Sequence, residues 1–137
     1  MIVPDKELRI AIVSLLESAG FVIRDTFSRP DDAYPRIIIA GISSLQDGSK
    51  SQFMYRTQLN IRITDKALKV GNSNVCDDVV NGILAVLWPF PNGPYPVTNG
   101  FEIWGVDLNS TETNNYQRKD YFYIEKNINL TIKTEKI

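Results

Sequence analysis

The sequence predicts an α+β fold, an antiparallel sheet with two helices packed on one face and a projecting β-hairpin. Two amphipathic stretches and an alternating segment that crosses a turn dipeptide carry this reading. The first stretch repeats Leu8, Ala11, Ile12, Leu15, Leu16 and Ala19 at helical spacing. The second does so with Val75, Val79, Val80, Ile83, Leu84 and Leu87. Between them, residues 36–45 and 51–64 flank Asp47-Gly48, the preferred pair for a two-residue hairpin turn.

A helix over residues 4–19 follows from Pro4 at the first helical position, Asp5 and Glu7 at the positive end of the dipole, and Gly20 as a stop. Phe21-Val22-Ile23 reads as a short strand, and residues 25–34, with Pro30, Asp31 and Asp32, read as a loop. If Asp47 and Gly48 centre the hairpin, Ile42 faces Phe53, Ala40 faces Tyr55 and Ile38 faces Thr57. One face then gathers Ile38, Ala40, Ile42, Phe53, Tyr55, Leu59, Ile61 and Ile63 as core. The other is mixed: Ile37, Ile39, Met54, Arg56, Gln58, Asn60 and Arg62. Asn72-Ser73-Asn74 offers caps for the second helix, which Pro89 ends. Residues 89–100, with four prolines and two glycines, are expected to be loop, tacked down by Phe90 and Tyr95. A strand over 101–108, a polar turn over 109–116 and a long strand over 117–134 complete the chain, with Phe122, Ile124, Ile128, Leu130 and Ile132 inward.

The length of 137 residues suits one domain over residues 1–137, and a composition of 43% hydrophobic and 23% charged residues is that of an ordinary globular protein. A formal net charge of -1 supplies no field for a phosphate backbone, so sequence-specific nucleic-acid binding is not expected. No apolar run is long enough for a membrane span, and the N-terminal residues lack the order of a signal peptide. The single cysteine, Cys76, reads as a small buried hydrophobe and points to a reducing compartment.

Catalytic chemistry finds little to work with. The chain has no histidine, which removes imidazole as base or ligand, and one cysteine cannot make a zinc site. Asp31-Asp32 and Asp77-Asp78 are adjacent pairs that point apart, and they read as a solvated loop and a helix start. Gly71-Asn72-Ser73-Asn74 lacks the lysine and spacing of a phosphate loop. Arg118-Lys119-Asp120-Tyr121-Phe122-Tyr123 interleaves basic and aromatic residues but lacks the Gly-aromatic signature of an RNA-stacking sheet, and strand alternation about a charged turn accounts for it. Neither an enzyme nor a cofactor is expected.

In its order of elements the sequence resembles the tail-completion and head-to-tail joining family of tailed bacteriophages, which includes tail terminators. The resemblance is carried by the N-terminal helix and the strand entry Tyr34-Pro35-Arg36-Ile37-Ile38. It continues through the alternating Phe53-Met54-Tyr55-Arg56-Thr57-Gln58-Leu59-Asn60-Ile61-Arg62-Ile63, the helix around Cys76-Asp77-Asp78-Val79-Val80-Asn81-Gly82-Ile83-Leu84, and the final strand with Tyr121-Phe122-Tyr123-Ile124. The chain departs from typical members in its Pro-rich segment 89–96 and its longer hairpin. The resemblance implies a structural virion protein, assembled in the host cytoplasm, that forms a homo-oligomeric ring of six or twelve copies at the head–tail junction. Other neck, portal or tail proteins would be its partners, and the family carries no catalytic residues to transfer.

Elementary geometry points the same way. A domain of this size is about 37 Å across, whereas a fourteen-residue strand over 51–64 spans roughly 46 Å. The hairpin tip, Leu45, Gln46, Asp47, Gly48, Ser49 and Lys50, is therefore expected to project and to contact a neighbour. Ile37, Ile39, Met54, Arg56, Tyr121 and Tyr123 on the mixed face are further candidates for the oligomer interface, having the aromatic, Met and Arg mixture of such surfaces. The alternative is a ferredoxin-like protein binding a small molecule between sheet and helices, or a minor enzyme built on carboxylates.

Overall fold

The structure, a computed structural model, describes residues 3–25, 27–46, 54–67, 74–88, 95 and 98–137. Its elements follow in the order α1 (Asp5–Ser18), β1 (Ile23–Asp25), β2 (Arg36–Gln46), β3 (Met54–Ala67), α2 (Asn74–Leu87), β4 (Phe101–Arg118) and β5 (Tyr121–Lys136). The chain has a mixed α+β fold of two helices and one five-stranded sheet in the order β1-β2-β3-β5-β4.

Helix α1 buries Leu8, Ile12 and Leu16, one residue per turn. It ends as the sequence leads one to expect. Gly20 sits at φ 96, its N–H donates to Glu17 O at 3.0 Å, and Phe21 N–H donates to Leu16 O at 3.0 Å. This is a Schellman cap, in which the left-handed residue satisfies carbonyls the helix leaves open. At the other end, Ser44 Oγ donates to Asp5 Oδ1 and lies 2.7 Å from the buried Thr57 Oγ1, so a short polar chain ties the start of α1 to β2 and β3.

Helix α2 buries Cys76, Val80, Ile83 and Leu87. Val75, placed on the apolar stripe by sequence, is instead exposed, and Cys76 takes its place. These side chains join those of α1 in one cluster with Ile37, Ile39, Leu59, Ile61, Ile63, Val106, Ile124, Ile128, Leu130 and Ile132 of the sheet. Burial pushes the Cys76 thiol up to about 11, assisted by the Asp65 carboxylate. At pH 8 only about one molecule in a thousand would carry the thiolate. Folded protein should therefore leave a thiol-disulfide reagent such as Ellman's unreacted over minutes, and urea-unfolded protein should react at once; rapid labelling of the folded chain would contradict the burial.

The hairpin register differs from the expected one. Ile42 pairs with Leu59 and Ile38 with Arg62, and the ladder ends at Gln46↔Tyr55, leaving residues 47–54 between the paired ends. The expected turn residues Asp47 and Gly48, with Ser49, Lys50 and Phe53, lie outside the described residues. A β-bulge explains what happened to the two faces. Pairing jumps from Ile39↔Ile61 to Gly41↔Asn60, so Ala40 is an extra residue on β2. Relative to the expected pairing, Ile42 has moved by an even number of residues and Ile38 by an odd number. A shift of odd length turns a strand over. Hence Ile37 and Ile39, assigned by sequence to the mixed surface, are core residues at 4% and 2% exposure, while Ile38 faces outward. They are removed from the candidate interface. The inward residues of β3, Tyr55, Leu59, Ile61 and Ile63, are buried as expected.

Two further expectations are corrected. β1 pairs with β2 in parallel, Ile23 opposite Ile37, so the sheet is mixed and not purely antiparallel. Residues 109–116 are not a turn. They continue β4, which pairs with β5 to Arg118↔Tyr121 around the two-residue turn Lys119-Asp120, with Lys119 at φ 54. Residues 111–118 of β4 are exposed on both faces, and without a buried face they show no apolar alternation. β5 holds them in line by backbone pairing and by the stacking of Tyr123 on Tyr116.

Candidate interaction surface

Pairing across the sheet sets which side chains share the face turned away from the core. Lys66 lies opposite Tyr123, Thr64 opposite Glu125, Arg62 opposite Asn127, Asn60 opposite Asn129, Gln58 opposite Thr131 and Arg56 opposite Lys133. The middle of this outer face is a closed polar network. Asn60 Nδ2 donates to Asn129 Oδ1 at 2.7 Å, and Asn129 Nδ2 donates to Ser110 Oγ at 3.0 Å. Asn109 Nδ2 donates to Thr131 Oγ1 at 2.7 Å and to Gln58 Oε1 at 3.0 Å. Arg62 pairs with Glu125 at 3.4 Å, and its Nε also donates to Asn127 Oδ1 at 3.3 Å. Groups so occupied have little left for a ligand.

The two ends of the face are different. At the end near the β2–β3 tip, Leu45, Arg56, Lys133 and Gly105 form one row across four strands. Leu45 is 69% exposed and Trp104, the extra residue of a bulge beside Gly105, is 46% exposed with Lys133 Nζ 5.7 Å from its ring centre. Arg56 is exposed here too, and Met54 is partly so.

The opposite end, roughly 33 Å away along β3 from Arg56 to Lys66, is a cluster of tyrosines and cations. Tyr116 and Tyr123 stack at 5.1 Å with 12° between their planes, and Tyr34 meets Tyr123 edge-on at 6.5 Å. The Arg36 guanidinium lies 4.2 Å over the Tyr34 ring, Lys66 Nζ lies 3.8 Å over Tyr121, and Arg118 lies 5.7 Å from the Tyr116 ring centre. Ser28, Tyr34, Arg36, Ile38, Thr64, Tyr116, Arg118 and Tyr123 line a cavity of about 260 Å³. Burial, and next the Glu125 carboxylate, raise the Tyr116 phenol, which stays protonated as a hydrogen-bond donor at neutral pH.

The loop between β1 and β2 holds this end in shape. Arg24 Nε and Nη2 grip the Asp32 carboxylate, the closest contact being 2.9 Å, and Arg29 N–H donates to Asp32 Oδ2 at 2.8 Å. Arg36 Nε and Nη2 donate to the carbonyls of Asp32 and Pro30. Asp32 is thus a loop brace and not the solvated residue expected from its sequence context, and Asp77 likewise bonds Lys126 at 2.8 Å. The Arg24 guanidinium, then the Arg29 amide, hold the Asp32 carboxyl below its ordinary value. A folded-state value below the unfolded one stabilises the fold above the unfolded pKa, and this contribution is lost as pH falls through the folded pKa. Asp32→Asn should therefore unfold at a lower temperature than the parent at pH 7, and the gap should close as pH falls below the ordinary carboxylate range and through the lowered folded-state value. A gap independent of pH would show that the carboxylate charge plays no part.

Of the residues proposed from sequence, Leu45, Met54 and Arg56 fall at one end of the outer face, with Gln46 beside them on the opposite face, across from Tyr55; Tyr121 and Tyr123 fall at the other end of the outer face, and Ile37 and Ile39 in the core. Asp47, Gly48, Ser49 and Lys50 lie outside the described residues. Lys66, Trp104 and Tyr116 carry no functional expectation from sequence, Tyr34 and Arg36 enter only as part of a strand entry, and Arg118 only within the basic–aromatic run 118–123. A two-residue turn at Lys119-Asp120 places positions 116, 118, 121 and 123 on one face, and that spacing was the available signal.

Among the described residues no group of three or more His, Cys, Asp or Glu could hold a metal ion, and no helix is long and apolar enough to cross a membrane. No protein-family model matches the chain, and no curated protein matches it. Among solved structures, a chain from "Virion of native gene transfer agent (GTA) particle" is similar in fold, with a TM-score of 0.63 and 12% sequence identity, over 95% of this chain and 90% of that one.

Proposed function

We propose that this chain is a structural component of a tailed-phage-like virion, and that its copies form a ring of six or twelve at the head–tail junction, as a neck, tail-completion or tail-terminator protein. The observation that carries this reading is the fold likeness to a chain of the gene transfer agent virion, which spans nearly the whole of both chains.

The form of the sheet supports assembly through its edge and its tip. β4 is an edge strand of eighteen residues, about 60 Å when extended, and has no strand beyond it among the described residues. Protein edges are usually blunted by lysine, proline or brevity. β4 carries neither lysine nor proline, and its bulges at Trp104 and Asn109 leave 110–118 unbroken. Such a row of free backbone groups can accept a strand from a neighbour. The tip end, with exposed Leu45, Trp104 and Arg56, offers the apolar, aromatic and Arg mixture of a contact surface. Portal, neck or tail proteins would meet the ring above and below.

Particles purified from a producing host test the reading. Peptides of this chain should appear in them at a copy number far below that of the capsid protein, and a label on the chain should mark the single site between head and tail. Absence from washed particles, or label spread over the capsid, would overturn it.

A further inference from the structure

We infer that the tyrosine–cation cluster around Arg36, Lys66 and Arg118 is a carboxylate-binding site that takes an acidic peptide segment of a partner protein. The inference goes beyond the virion reading and does not depend on it, because the site belongs to the folded monomer.

Charge is the first argument. Three cations meet at one end of the outer face, and none of them forms an ion pair with a carboxylate among the described residues. The nearby Glu125 is already held by Arg62 at 3.4 Å and accepts from Asn127 Nδ2 at 3.3 Å. Elsewhere on the same face Arg62 and Lys133 each have an acidic partner, Glu125 and Asp107, which these three cations lack.

Geometry is the second. Arg36 is fixed through two of its nitrogens by the carbonyls of Asp32 and Pro30 and by the Tyr34 ring beneath it, which leaves Nη1 for a ligand. A guanidinium already immobilised loses little entropy on binding a carboxylate. Arg36 and Arg118 line the same cavity together with the phenols of Tyr34, Tyr116 and Tyr123 and the hydroxyls of Ser28 and Thr64. All of these can donate, as an anionic oxygen requires. At about 260 Å³ the cavity is smaller than the roughly 300–1,000 Å³ of a site for a drug-sized molecule, and suits a side chain better than a cofactor.

The rings decide between an acidic peptide and a single-stranded nucleic acid. Sequence-tolerant nucleic-acid binding needs free aromatic faces on which bases stack. Here the faces are in use: Tyr116 and Tyr123 cover each other, Arg36 covers Tyr34, and Lys66 covers Tyr121. At least one face of each ring is thus taken, which leaves less surface for stacking bases, while each phenol O–H can donate to a carboxylate oxygen. The net charge of -1 adds no long-range attraction for a polyphosphate chain.

A fluorescein-labelled hexaglutamate peptide, titrated with the full chain at low salt and followed by anisotropy, tests the site, with a ten-nucleotide oligothymidylate and inorganic phosphate as competitors. The expected result is saturable binding that weakens with salt and falls about ten-fold in the double variant Lys66→Gln, Arg118→Gln, while Lys6→Gln, exposed on α1, binds as the parent does. If the double variant is misfolded by circular dichroism, Arg118→Gln alone, on the exposed edge strand, should still weaken binding about three-fold. Absence of saturable binding, or equal binding by parent and variants, overturns the proposal. So does oligothymidylate displacing the peptide at lower concentration than unlabelled hexaglutamate, which would reassign the site to nucleic acid.

Discussion

Replacing Ile39 with alanine is expected to lower the free energy of unfolding by about 2–5 kcal/mol, and the same change at Ile38 by less than half as much. The two residues are neighbours with the same side chain, so strand propensity and the loss of methylene groups are the same for both. Burial alone separates them. Ile39 is 2% exposed and packs in the central cluster opposite Ile61, whereas Ile38 lies opposite Arg62 on the outer face. A cavity at Ile39 is enclosed between the sheet and the helices and cannot collapse freely, and a truncated Ile38 leaves a space that water can enter. Urea denaturation of both variants measures the difference. Equal losses, or a larger one at Ile38, would contradict the inward placement of Ile39 and the turning of the strand at Ala40.

The second large effect concerns assembly. Because Gln46 pairs with Tyr55, replacing residues 47–54 with Asn-Gly should close the hairpin with a tight turn while leaving the ladder above it intact. Of the described residues only Met54, opposite Glu135, is lost. The expected product is a folded monomer, with an unfolding temperature close to that of the parent, that does not assemble. Every subunit of a ring repeats the same contact, so loss of that contact acts at each junction. Ring formation at the parent's level would remove the tip from the interface and leave the β4 edge as the connector.

Both helices were legible in the sequence because each has a single buried stripe and clear stop signals: Gly20 for α1, and Pro89 after α2. The inward residues of β3 and β5 were legible for the same reason, since Leu59, Ile61, Ile128, Leu130 and Ile132 alternate with polar neighbours. β2 was misread because Ile37-Ile38-Ile39-Ala40 has no alternation to fix its phase, and phase then had to be borrowed from the Asp-Gly turn. One extra residue at Ala40 was enough to exchange core and surface. The far half of β4 was hidden by its polarity, as a strand exposed on both faces carries no hydrophobic period. The tyrosine–cation cluster is assembled from four separate places, the loop at Tyr34, Arg36, Lys66 and the turn flanked by Arg118 and Tyr121. The turn spacing accounts for positions 116–123, whereas Tyr34, Arg36 and Lys66 are brought to them by the long-range pairing of β2 with β3 and of β3 with β5, which no local pattern announces.

Native mass spectrometry of the purified full chain tests the central claim most directly. A virion ring protein should give one closed species of six or twelve copies, persistent on dilution through the micromolar range, with few intermediates between it and the monomer. Monomers or dimers alone at every concentration, in the absence of any partner, would contradict self-assembly into a ring.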